Sequence, residues 1–127
     1  MDTQFLDELI NDVINNNNKE YDSLDSLLLK MSDDEVNYFI NGCGEKIYHN
    51  NSLTLILWKT HPELFYESII AYVDKKIERT NTILSNLRRQ GFTDDNQTYV
   101  MLILVKDRFL ELKKLFTDGI NEYRKNM

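Results

Sequence analysis

Chain breakers are scarce in this sequence: one proline, Pro62, and four glycines among 127 residues. So few exclude a loop-rich fold and leave long regular elements. Alternating apolar and polar runs of strand type are nearly absent, which makes those elements helices. Alanine is scarcer still, Ala71 alone, so the helices must draw their stability from packing rather than propensity. The single cysteine, Cys43, excludes an internal disulfide and gives no sign of an oxidising compartment. Long apolar runs are missing too. The longest, residues 99–105, has seven residues, against the ~20 needed to cross a bilayer, and it reads as the buried heart of a helix. The acidic start, with Asp2, Asp7 and Glu8, lacks the basic and apolar regions of a signal peptide. These absences predict a cytoplasmic protein with no membrane partner. Positive charge is also short. A net charge of −6 opposes the phosphate backbone, so no nucleic-acid partner is expected.

What is present is helical periodicity. Tyr66, Ile70, Val73, Ile77, Thr80, Leu84 and Leu87 recur at spacings of four and three, which keeps one seam on one helix face. Beyond Gly91, the positions Leu102, Val105, Phe109, Leu112, Phe116, Gly119 and Tyr123 repeat that spacing. Ile103, Leu110, Leu115 and Ile120 widen this second stripe toward that of a core helix. Gly91 suits the left-handed residue that closes a helix, and Arg88 with Arg89 suits the negative end of its dipole. Thr93 is the expected N-cap of the next helix, with Asp94 and Asp95 in its first turn. The pattern predicts a long antiparallel helical hairpin.

The front half reads as shorter helices. Phe5, Leu6, Leu9, Ile10, Val13 and Ile14 form a stripe that stops at the asparagine run 15–18. Leu24, Leu27, Leu28 and Met31 form the next after Ser23, and Ser32 with Glu35 makes a capping box ahead of Val36, Phe39, Ile40 and Cys43. Gly42 and Gly44 bracket the end of that third helix. Ser52 is the expected cap of a short helix carrying Leu53, Ile56, Leu57 and Trp58, and Thr60 with Glu63 forms a second capping box around Pro62. The expected architecture is therefore all-α: a single-domain helical bundle over 1–127. Three or four short N-terminal helices (about 1–60) pack on a long C-terminal antiparallel helical hairpin (about 61–127), and helix exceeds about 60% of residues, twice the globular average.

The chain carries no recognisable catalytic or phosphate-binding motif. Cys43, His49 and His61 lack an elbow motif, an orienting third group and an oxyanion-hole signature, so no catalytic residue is expected. His49, His61, Glu63 and Glu67 are the only cluster of metal-ligand types, and no pair at ligand spacing is backed by a second. No metal and no cofactor are expected. Cys43 falls on the apolar stripe of the third helix, where free cysteine acts as a small hydrophobe. Trp58, Phe65 and Tyr66, at a helix junction, are read as core aromatics rather than a ligand pocket.

The charge distribution gives the best functional clue. Residues 1–60 hold 11 Asp and Glu against 4 Lys and Arg, a net of −7, while residues 61–127 hold 10 against 11, a net of +1. Asp22, Asp25, Asp33, Asp34 and Glu35 cluster around one helix junction. A one-signed patch speeds association with an oppositely charged partner and selects it by sign. The general profile, small, acidic, helical and cytoplasmic, resembles that of bacterial toxin-immunity proteins and of phage or viral inhibitors of host factors. That resemblance is one of class, so it carries no residue roles. It implies a non-enzymatic inhibitor that docks a basic protein partner, a toxin or host factor, through those five acidic residues. The alternative is a structural or assembly protein whose hairpin builds a homo-oligomer.

Overall fold

The computed structural model describes residues 3–15 and 24–127. Asp22, Ser23 and residues 16–18 of the asparagine run lie outside them. Helix accounts for 87% of the described residues, which include no strand, so the all-α expectation and its helix content hold. The elements are α1 (Gln4–Asn15), α2 (Leu24–Leu29), α3 (Asp33–Cys43), a 3-10 turn (Gly44–His49), α4 (Asn51–Thr60), α5 (Pro62–Arg89) and α6 (Gln97–Lys125).

Two predicted helix ends form as read. Ser32 Oγ accepts from Glu35 N at 3.3 Å while Glu35 Oε1 accepts from Ser32 N at 3.1 Å, which satisfies two end donors reciprocally. At the end of α5, Gly91 takes φ 86°. There Phe92 N donates to Leu87 O (2.9 Å) and Gly91 N to Arg88 O (3.0 Å), the paired bonds that close a helix through a left-handed residue.

Three predicted caps move. Asn50, not Ser52, caps α4 by accepting from Leu53 N at 3.2 Å. Asn96, not Thr93, caps α6 by accepting from Tyr99 N at 3.0 Å, which leaves Asp94 and Asp95 in the connecting turn. Thr60 is the last residue of α4 and donates to Ile56 O at 2.8 Å, so α5 starts at Pro62 without a Thr60 cap. Asn caps as well as Ser or Thr do, so where two candidates sit within three residues the chain's path decides between them. Gly42 also does not end its helix. It lies inside α3 where α1 crosses closely, and a Cβ there would meet Cδ1 and Cγ1 of Ile10.

The contacts divide the chain into two units, Met1–Ser68 and Ile69–Met127. The first has a continuous core: Leu6, Ile10 and Val13 of α1; Leu24 and Leu28 of α2; Met31; Val36, Phe39, Ile40 and Cys43 of α3; Ile47; and Leu53 with Leu57 of α4. Within it α1 packs on α3 and α2 on α4. Lys46 Nζ donates to Ile14 O at the end of α1. Tyr38 donates to Asp7 Oδ1 at 2.5 Å, a bond that raises the phenol above its usual pKa.

The second unit contains most of α5 and all of α6. Its buried side chains are few among the described residues: Val73, Thr80, Leu84, Tyr99 and Ile120. The Thr80 hydroxyl, the polar member of the α5 seam, is satisfied by donating to Lys76 O at 2.8 Å. Lys113 Nζ on α6 pairs with Asp74 Oδ1 on α5 at 2.7 Å.

Candidate functional site

The five acidic positions fare unequally. Glu35 is occupied by its own capping box. Asp33 lies 3.7 Å from His61 Nδ1, and Asp25 Oδ1 accepts from Ser26 N at 2.9 Å. Asp25, Asp33 and Asp34 are exposed, and Asp22 lies outside the described residues. Three of the four described carboxylates thus have a partner close by in the fold.

His61 is a fastener for that junction. Its Nε2 sits 2.6 Å from Leu28 O, so the tautomer that carries hydrogen on Nε2 donates to the end of α2, and Nδ1 faces Asp33. This geometry orders the α2 to α3 corner against the start of α5. It needs no substrate.

Cys43 is buried on α3 as its stripe requires, and burial pushes the thiol pKa up to about 12. The folded chain keeps this proton at pH values where the unfolded thiol, near 9.0, has lost it. Because the folded state binds more protons in that window, stability falls as pH rises above about 9, with a slope approaching ~1.4 kcal/mol per pH unit from this group. Urea unfolding between pH 8 and 10.5 should show the fall in the wild type and a shallower one in Cys43→Ala. Equal slopes in the two proteins would remove Cys43 as the cause.

His49 is exposed on the 3-10 turn. Among the described residues no group of three or more His, Cys, Asp or Glu could hold a metal ion. Trp58 departs from its reading as a core aromatic: it is exposed, and its indole N–H donates to Tyr66 OH at 3.3 Å. Phe65 packs edge-on to Tyr66 at 5.5 Å and lies partly buried against the first core. In the second unit an open groove of about 710 Å³ is lined by Asp74, Glu78, Asn81, Ser85, Arg89 and Lys113, among others. It is open to solvent and of mixed polar and apolar lining, which includes Ile77, and no buried side-chain nitrogen or oxygen among the described residues lacks a hydrogen-bond partner.

The largest departure from expectation is on α6. Of the apolar run 99–105 only Tyr99 is buried; Val100, Met101, Leu104 and Val105 are exposed, as are Leu110 and Leu115. A helix turns about 100° per residue, so seven consecutive apolar residues reach every side of it. The side holding Phe109, Leu112 and Phe116 is partly covered, and the neighbouring side, where Met101, Leu104 and Leu115 stand with Arg108 and Glu111, is left open. The sequence carried a signal for this second face, since Met101, Leu104 and Leu115 are helix-spaced too. No described helix is long and apolar enough to cross a membrane, so α6 is not a membrane span left bare.

Comparison with known protein families, curated proteins and solved structures finds no match to this chain.

Proposed function

We propose that this chain is a non-enzymatic assembly protein in which α5 and α6 pair as an antiparallel helical hairpin and the hairpin builds a homo-oligomer. The carrying observation is the exposed apolar side chains of α6: Val100, Met101, Leu104 and Val105 lie within two turns and Leu115 recurs further along the helix, and exposed apolar clusters of this kind mark association sites. The hairpin draws support from the Lys113–Asp74 ion pair, whose residues are equidistant from the turn, and from the α5 seam, every member of which is shielded in whole or part. A cytoplasmic setting fits the lone cysteine, buried and unpaired. Sedimentation equilibrium of the full chain over a wide concentration range tests the reading: mass should rise toward a multiple of 15.1 kDa, and a monomer throughout rejects it.

A second reading keeps the acidic junction as a dock for a basic protein partner, in the manner of a toxin-immunity protein or a phage or viral inhibitor of a host factor. Its support is the exposure of Asp25, Asp33 and Asp34 in a strongly negative half of the chain. It ranks second because Asp33 and Glu35 have local roles. Reversal of Asp25 and Asp34 to lysine should slow association with a captured basic partner, and salt should weaken the wild-type complex. An affinity indifferent to both changes rejects this mechanism.

A further inference from the structure

The exposed face of α6 has an order that the apolar content alone does not convey. Met101, Leu104, Arg108, Glu111, Leu115 and Asp118 follow one another at spacings of three, four, three, four and three, and all six are exposed. They form a second seam on the helix. Met101, Leu104 and Leu115 are 56%, 62% and 64% exposed. At the centre, Arg108 Nη1 lies 3.2 Å from Glu111 Oε2 of the same helix.

This spacing reads the same in both directions about a point midway between Arg108 and Glu111. The chemistry is complementary under that reversal. Leu104 exchanges with Leu115, and Arg108 exchanges with Glu111. A parallel pairing would instead set Arg108 on Arg108, Glu111 on Glu111 and Asp118 on Asp118, all like charges, and such clashes select against an arrangement. We infer that a second copy of this chain docks antiparallel along the seam, on a two-fold axis between Arg108 and Glu111. Each Leu104 then meets the second copy's Leu115, and each Arg108 meets its Glu111. The two-fold supplies every contact twice, as a closed dimer requires. Met101 extends over the second copy's Asp118 at the two open ends, where the carboxylate stays in water. The inference rests on the assembly reading and adds the occupant, its direction and the residues that set register.

So small an interface predicts a weak dimer, with Kd on the order of 1–100 µM. The test uses sedimentation equilibrium of the full chain, with circular dichroism confirming that helix content is kept, since both charges are exposed and leave the core intact. Arg108→Glu places Glu against Glu111 of the second copy, and Glu111→Arg places Arg against Arg108. Each single variant should dimerise at least about tenfold more weakly than wild type, the effect of ~1.4 kcal/mol. The two single variants mixed, and the double variant Arg108→Glu with Glu111→Arg, should both recover dimerisation to within a fewfold of wild type. A dimer whose Kd is unchanged by either single variant overturns the antiparallel register and leaves the assembly reading standing. A wild-type chain still monomeric at about 0.5 mM, well above the Kd expected of such an interface, overturns both.

Discussion

Phe39→Ala is expected to destabilise the first unit by about 3 to 5 kcal/mol, the range for truncating a buried aromatic. Phe39 is 0% exposed and is the largest of the fully buried side chains among the described residues. It sits on α3, which packs against α1, so the lost ring leaves a cavity bounded by two helices. Small domains have about 5 to 15 kcal/mol of stability in all; this one change removes a large share. Trp58, the only tryptophan, lies in the same unit and makes its fluorescence the natural probe of urea unfolding. Leu29→Ala, at a position 65% exposed, should cost under about 0.5 kcal/mol. A Phe39→Ala loss below about 1 kcal/mol would place this ring outside the core.

Leu84→Ala should be the most damaging leucine truncation in the second unit, at about 2 to 5 kcal/mol. Leu84 is 2% exposed and is the only residue of that unit among the largest fully buried side chains described. A unit with so few buried groups has little else to offset the loss. The adjacent Ile83 is 39% exposed, because one residue along a helix is a rotation of about 100°, and Ile83→Ala should cost well under half as much. Ile77 and Phe109, also seam positions, are only partly buried, so truncation there should fall between these two. Thermal melts of the two variants followed by circular dichroism check the order. Equal losses at positions 83 and 84 would mean that the face of α5 has been misassigned.

Much of the architecture was legible because it is decided locally. The near absence of proline and glycine, the three and four spacing of apolar residues, and the Ser32 to Glu35 box each act within a turn or two of helix, a range over which sequence neighbours are spatial neighbours. The same locality explains the errors at Ser52, Thr60 and Thr93. Ser52 and Thr93 lie near Asn50 and Asn96, which cap equally well by propensity, while Thr60 is taken into the end of α4, and the start of each helix depends on how the preceding turn approaches it. His61 shows the limit from another side. Its bond to Leu28 O joins residues far apart in sequence, and no spacing rule reaches across that gap.

By itself, then, the sequence determined that this protein is helical, where most helices run, which face of α5 is shielded, and that Cys43 belongs to a core. Only the tertiary structure decided which side of α6 is covered. The run 99–105 is apolar all round the helix, and propensity and periodicity are properties of one helix alone. Burial depends on how many neighbours arrive and from which direction. Those neighbours cover one side of α6 and leave Met101, Leu104 and Leu115 exposed. The acidic junction follows the same logic. Its charge was visible in the sequence, but the capping of Ser32 by Glu35 and the approach of His61 to Asp33 arise from folded geometry, which turns part of an apparent docking surface into the fastening of a corner.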